Sequence, residues 1–138
     1  MRLTTSIFVF LVAAAHAGPA PVPKEVWSAI SVSRPIFILG REEIDVFFSA
    51  INDTDKPVLY EDIRGGGVLI VNGEELKDSG LLFGNGPRET TKFLNPGKAT
   101  LFVARLTNYF AKPGNYEVAW KGKQFGTKPV VFRIVEKY

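Results

Sequence analysis

The side chains that most often carry enzymatic chemistry are scarce in this sequence. Cysteine is absent and histidine occurs once, as His16, inside an N-terminal segment that we expect to be cleaved off. Without either residue, the mature chain cannot form a Ser-His-Asp triad, a Cys-His dyad, a histidine or thiolate zinc site or a haem ligand set. The composition therefore predicts a protein that is not an enzyme, with no catalytic residue, no metal site and no cofactor.

Carboxylates and serines are the chemistry-bearing groups that remain. A glycosidase needs two carboxyl groups about 5–9 Å apart in a cleft, and the sequence predicts no apolar pocket around any acidic pair. A serine nucleophile with a lysine base is expected in a Ser-x-x-Lys motif, which does not occur. A small hydrolase that uses carboxylates or a Ser-Lys pair is therefore the least favoured function. The acidic pairs are Glu42 with Glu43, Asp53 with Asp55, Glu61 with Asp62, and Glu74 with Glu75.

The segment Asn52-Asp53-Thr54-Asp55 offers several oxygen ligands within four residues. It lacks the spaced acidic residues and the closing glutamate of a calcium-binding EF-hand loop, so a solvated turn is the favoured interpretation. The first three residues also fit the acceptor pattern for N-glycosylation, which applies only if the source is eukaryotic.

Residues 1–17 have the pattern of a secretory signal peptide. Arg2 provides a positive charge, residues 7–15 are apolar, and Ala15-His16-Ala17 is the small-x-small pattern that signal peptidase cleaves. The apolar run is shorter than the ~20 residues that a membrane-spanning helix needs, so no transmembrane segment is expected after cleavage. We therefore predict a secreted or periplasmic protein whose mature chain begins at Gly18.

The mature chain divides into a short linker and one domain. Residues 18–24 are rich in proline and alanine, which predicts an extended linker. Residues 25–138 contain short alternating runs between turn residues, and Asn72-Gly73 suits the two positive-φ positions of a type I′ hairpin turn. Seven to nine strands at this spacing predict an all-β domain, an immunoglobulin-like antiparallel β-sandwich. A small OB-type barrel is the competing fold.

Three stretches of the domain resemble a known family. They are Asn-x-Thr-Asp-Lys-Pro-Val at 52–58, Leu-x-Pro-Gly at 94–97 and Pro-Gly-x-Tyr-x-Val-x-Trp at 113–120. Together they resemble bacterial immunoglobulin-like domains of the BsuPI-type proteinase inhibitor family. The resemblance covers roughly residues 43–135, and it implies an immunoglobulin-like fold with proteinase inhibition as one expected function.

The last of these stretches is interpreted as structural. Pro113 and Gly114 favour a turn. Tyr116, at the start of the next strand, suits a tyrosine corner, in which the hydroxyl bonds to nearby backbone. Trp120 lies in a cleanly alternating run, so it is predicted to belong to the core.

Two surface regions are candidate binding sites, and the first is the loop of residues 77–88. Long loops are often functional, and this one holds apolar residues, Leu82 and Phe83 among them, between glycines. We predict that it contacts a protein partner through Leu82, Phe83, Asn85 and Arg88.

The second region is a set of five lysines that an immunoglobulin-like topology gathers at one end of the sandwich. We call it the lysine pole: Lys56, Lys98, Lys121, Lys123 and Lys128. Clustered lysines attract polyanions, so weak contact with anionic cell-envelope polymers is expected, with Phe125 exposed among them. The formal net charge of the chain is only +3, which is too small to predict a nucleic-acid-binding protein.

These features favour an exported, non-enzymatic β-sandwich that acts as a protein-binding module. The alternative function is an extracytoplasmic proteinase inhibitor. The two make different demands on the structure, because an inhibitor projects a loop clear of the body, whereas a binding module exposes an apolar patch on a face or an edge.

Overall fold

The computed structural model describes residues 24–77 and 92–137. The alternating runs of the sequence form ten strands within these ranges: β1 (Val26–Val32), β2 (Ile36–Ile38), β3 (Asp45–Asn52), β4 (Val58–Leu59), β5 (Val68–Val71), β6 (Glu74–Glu75), β7 (Phe93–Leu94), β8 (Ala99–Arg105), β9 (Gly114–Lys121) and β10 (Val130–Val135). A helix, α1 (Tyr60–Arg64), follows β4, and a 3₁₀ turn (Thr107–Tyr109) follows β8. The predicted signal peptide, and the predicted linker apart from Lys24, lie outside the described residues.

The strands form two main sheets that pack face to face. One is three-stranded, in the order β1-β3-β8, and the other is five-stranded, in the order β2-β10-β9-β5-β6. Neighbouring strands are antiparallel except β2 and β10, which are parallel. β4 and β7 form a separate pair. The predicted all-β sandwich is confirmed, with ten strands in the described ranges where the sequence pattern suggests seven to nine, and three of the ten have only two residues.

The core lies between the two sheets, where the long strands turn alternate side chains inward. Trp120, on β9, is fully buried. Its ring packs edge-on against Phe48 and Phe102, with ring centroids 5.2 and 5.3 Å away. Phe48 and Phe102 stack on each other across the neighbouring strands β3 and β8. Each aromatic pair adds about 0.5–1.5 kcal/mol beyond the burial of area, so this triad ties one sheet to the other.

Residues 112–116 have the geometry of a tyrosine corner. The hydroxyl of Tyr116 donates a 2.7 Å hydrogen bond to the carbonyl oxygen of Lys112, and its ring packs against Phe110 and Phe132 in the core. Gly114 adopts a φ of 153°, a conformation that residues with a side chain rarely take. Pro113 restricts the backbone immediately before it. The turn into β9 is therefore closed by one side-chain hydrogen bond.

The connection between β4 and β5 contains a helix that the sequence analysis does not predict. Five residues are too few to show a helical period, and only Ile63 among them is buried. Gly67, after the helix, packs so closely on the core that a Cβ there would lie 2.3 Å from Trp120 Nε1. Glycine at this position therefore lets the connection close over the core. No helix in the described ranges has the length and apolar character needed to span a membrane.

Candidate protein-binding surface

The outer side of the three-stranded sheet carries apolar side chains. Residues that alternate with the buried positions of β1, β3 and β8 point away from the core. The antiparallel register aligns them in three rows across the sheet. We call these nine positions the apolar face: Trp27, Ile51 and Ala99 in the first row, Ala29, Ser49 and Leu101 in the second, and Ser31, Phe47 and Val103 in the third.

Four of the five large side chains of the apolar face are open to solvent, and the fifth, Phe47, is half-buried. Leu101 is 67% exposed and Val103 52%, while Ile51 and Trp27 are 47% and 41% exposed. Seven of the nine residues are apolar and two are serines, so none carries a charge. Because the rows adjoin, the exposed apolar groups form one patch, and such contiguous patches on soluble proteins mark interaction sites.

Charged residues bound the apolar face at the end where β8 finishes. Arg105 Nε lies 3.0 Å from Asp45 Oδ1, and Arg105 Nη2 lies 2.7 Å from Glu43 Oε2. The hydrogen bond to Asp45 raises the pKa of the Arg105 guanidinium above its ordinary value, and arginine is positively charged at physiological pH in any case. Exposed ion pairs contribute little to stability, and this one marks where the apolar surface stops.

At the opposite end, the two corners of the apolar face carry opposite charges. Trp27 Nε1 donates a 3.4 Å hydrogen bond to Asp53 Oδ2, which places that carboxylate beside β1. Lys98, which is exposed, directly precedes β8 at the other edge of the sheet. This end therefore has an acidic corner next to β1 and a basic corner next to β8.

Asn52 fixes the loops at this same end. It is fully buried at the end of β3. Its Nδ2 donates 2.8 Å hydrogen bonds to the carbonyl oxygens of Lys56 and Leu94, and its Oδ1 accepts one from the backbone N–H of Thr54. Its own N–H donates to the carbonyl oxygen of Lys98. Asn52 is therefore a buried anchor of the turn, and in the folded chain the nitrogen that glycosylation would modify is already engaged in two hydrogen bonds.

The loops that carry the lysine pole meet at one end of the sandwich. The carbonyl groups of Lys56 and Lys98 both bond to Asn52. The loop after β9 shares a groove with the start of β1, and the start of β1 pairs with the end of β3. All five lysines are exposed. The topology therefore brings three loops together that are distant in the chain.

Acidic residues at the same end offset the charge of the lysine pole. Glu61, Asp62 and Glu75 line an open cleft of about 490 Å³ together with Lys121 and Lys123. In the part of the chain that the structure describes, no group of three or more His, Cys, Asp or Glu residues is arranged to hold a metal ion. The mixed charge weakens any attraction for a polyanion. Further carboxylates at this end belong to Glu25, Asp53 and Asp55.

Phe125 is not the exposed aromatic residue that the sequence analysis expects at the lysine pole. It is half-buried, and its ring centroid lies 4.4 Å from that of Trp120. Gly122 faces this ring so closely that a Cβ there would come within 2.1 Å of it. Phe125 therefore extends the core into the loop after β9.

Comparison with known proteins assigns no function to these surfaces. No protein-family model matches the chain, and no curated protein sequence matches it. The resemblance to the BsuPI-type family thus depends on the quoted motifs alone, and proteinase inhibition stays a prediction. The binding loop predicted at Leu82, Phe83, Asn85 and Arg88 lies outside the described residues, so it also stays a prediction.

The apolar face is absent from the sites predicted by sequence. A signal for it exists, because residues 45–51 and 99–105 have large apolar side chains in both of their alternating sets. A strand with one solvated side normally alternates between apolar and polar residues. Strands with apolar residues in both alternating sets depart from that rule, and they indicate in the sequence that the sheet has a second apolar surface.

Proposed function

We propose that this protein is an exported, non-enzymatic β-sandwich that binds a protein partner through the apolar face. The observation that carries the proposal is an uncharged, exposed apolar patch on a rigid sheet. Trp27 stands at one edge of it, and tryptophan is enriched among the residues that dominate binding energy. The signal-peptide pattern of residues 1–17 supports a partner outside the cytoplasm, and N-terminal sequencing of the exported protein is expected to begin at Gly18.

The size of the apolar face determines the binding strength to expect. Three strands about 4.8 Å apart, each with seven residues of about 3.3 Å, cover about 330 Å². Burying this area at about 25 cal/mol per Å² contributes on the order of 8 kcal/mol, against an association cost of about 4–15 kcal/mol. A partner that contacts only the apolar face therefore binds weakly, and a tight complex also needs contacts at the charged ends.

Two matched variants test the proposal. Leu101 lies on the apolar face, and Val131 points outward from the five-stranded sheet, with exposures of 67% and 62%. Arginine at either position places the same charge on an exposed strand position. We expect wild type and Val131→Arg, after chemical cross-linking in the source cells, to capture the same extracytoplasmic protein, and Leu101→Arg to lose it by about tenfold or more, the effect of about 1.4 kcal/mol.

The thermal unfolding of the two variants serves as the control for folding. Both are expected to melt close to wild type, because surface substitutions usually change stability by about 0.5 kcal/mol or less. Equal capture by all three proteins, or equal loss with both variants, would show that the apolar face is not the binding surface.

A further inference from the structure

The apolar face is complementary to itself. We infer that its partner is a second copy of this chain, packed face to face about a two-fold axis that runs parallel to the strands over β3. This inference rests on the proposed function, because it names the occupant of the same surface. Closed two-fold pairs are the commonest arrangement of identical chains.

The side-chain sizes on the two edge strands match under this rotation. In successive rows β1 presents a tryptophan, an alanine and a serine, whereas β8 presents an alanine, a leucine and a valine. The axis lays β1 of one copy over β8 of the other, row upon row, so that each large group of these two strands meets a small one, while Ile51 and Phe47 of β3 lie on the axis and meet their own copies. Sheets pack by this kind of interdigitation. The facing pairs are Trp27 with Ala99, Leu101 with Ala29, and Val103 with Ser31 of the second copy.

The charges at the corners match under the same rotation. The Asp53 carboxylate lies beside β1 and Lys98 precedes β8. Laying β1 over β8 therefore brings Asp53 of one copy to Lys98 of the other, and the symmetry makes this contact twice. At the far end, Arg105 comes over Ser33, which directly follows β1, and Asp45, which pairs with Arg105 and lies on β3 under the axis, faces its own copy.

The other aligned two-fold axis, which runs across the strands, gives a poorer match. It lays each strand antiparallel over the same strand of the second copy, so that Leu101 meets Leu101. It also brings Asp53 towards Asp45 and Lys98 towards Arg105 of the second copy, and like charges that face each other oppose association. Both axes place Trp27 and Val103 against small residues, so the charges at the corners select the axis parallel to the strands.

The area of the apolar face makes this a weak, reversible pair. Two copies bury about 700 Å² by the strand spacing, below the roughly 1,200–2,000 Å² of stable interfaces. We therefore expect monomers in dilute solution and dimers at concentrations of roughly 0.1–1 mM.

Charge exchange tests the arrangement. The protein as exported, and variants of it, are followed by sedimentation equilibrium across a dilution series. Asp53→Lys and Lys98→Asp should each weaken dimerisation by about tenfold, because each change creates two repulsive contacts, and the double variant should recover most of the loss. Asp55→Lys, in the same turn and also exposed, is the matched control and should leave dimerisation unchanged.

The outcomes separate this inference from the proposed function. A chain that stays monomeric up to about 1 mM, or a double variant that does not recover, overturns the two-fold pair. If the chain is monomeric yet Leu101→Arg alone loses a captured protein, the apolar face still binds a partner and only its identity is wrong. If Leu101→Arg and Val131→Arg behave alike in both experiments, both proposals fail.

Discussion

The outer sides of the two sheets differ in chemistry although they belong to one sandwich. On the five-stranded sheet, exposed aliphatic residues stand next to charges, with Val131 opposite Glu117 and Ile36 opposite Arg133. On the three-stranded sheet, the outward positions between the two charged ends carry no charge. Val131 is nearly as exposed as Leu101, so exposure of one side chain does not distinguish the two surfaces. What distinguishes them is the continuity of apolar neighbours, since single exposed apolar residues are normal.

A similar contrast exists between the inward and outward residues of a single strand. β8 turns Phe102 inward, where it belongs to the aromatic triad, and turns Leu101 and Val103 outward. If the outward residues serve binding and the inward ones serve folding, substitutions at adjacent positions should affect different properties. The following experiments test that separation, beginning with the largest effect expected.

The sharpest test compares two neighbours on β8. Phe102→Ala removes a ring from between Phe48 and Trp120, and we expect it to lower the free energy of unfolding by about 3–5 kcal/mol. Leu101→Ala should change it by about 0.5 kcal/mol or less. Urea unfolding of both variants measures the difference. A loss with Leu101→Ala as large as that with Phe102→Ala would mean that the apolar face is part of the folded core.

A second test concerns the buried end of β3. Asn52→Asp would set a carboxylate against the carbonyl oxygens of Lys56 and Leu94, which now accept from Nδ2. We expect a loss of about 3 kcal/mol at neutral pH, because a buried charge without a partner is costly. Burial would raise the pKa of the new carboxyl in the folded state, so the lost stability should return as the pH falls through that raised pKa.

Thermal unfolding between about pH 4 and 8 measures this effect, since the range spans the usual carboxyl pKa and its upward shift. Asp55→Asn, at an exposed position of the same turn, is the control and should show no such recovery. An Asn52→Asp variant as stable as wild type at neutral pH would contradict the role of Asn52 as the anchor of these loops.

A third test lies on the five-stranded sheet. Tyr116→Phe removes the hydroxyl that closes the turn onto the Lys112 carbonyl. We expect a loss of about 1–2 kcal/mol in the free energy of unfolding, measured by chemical denaturation. Capture of a partner per folded molecule should be unchanged, because Tyr116 lies on the sheet opposite the apolar face. A variant that melts like wild type would show that the corner contributes nothing.

The smallest effect is expected at the lysine pole. Acidic residues share that end, so wild type should leave a heparin-type column below about 0.15 M salt, where charges interact over roughly 8 Å. The double variant Lys121→Glu, Lys123→Glu should elute only slightly earlier. Retention of the wild type well above that salt concentration would make the lysine pole, and not the apolar face, the stronger candidate for binding.

Much of the fold was predictable because it depends on local pattern. The alternation in residues 45–52, 99–105 and 114–121 predicts strands, and the structure has β3, β8 and β9 there. Asn72 adopts a φ of 50° and Gly73 one of 83°, as the hairpin turn requires. The helix α1 was missed because its five residues are held by tertiary contact at Ile63 and not by a period of their own.

The candidate surface was less predictable for a different reason. Phe47 and Phe48 are adjacent in the chain and equally apolar, yet they lie on opposite sides of the sheet. Which alternate set is buried depends on where the second sheet packs, and Trp120, more than 70 positions away, is what covers Phe48. No local window contains that contact.

By itself, the sequence determined the absence of cysteine and histidine from residues 18–138, the alternation that produces strands, and the turns that separate them. These depend on residue type and on neighbours within a few positions. Only the tertiary structure decided that Asn52 is a buried anchor, that Phe125 belongs to the core, and that nine uncharged residues from three strands adjoin on one surface. Each of these depends on strand pairing between distant segments, and such pairing decides which side chains water can reach.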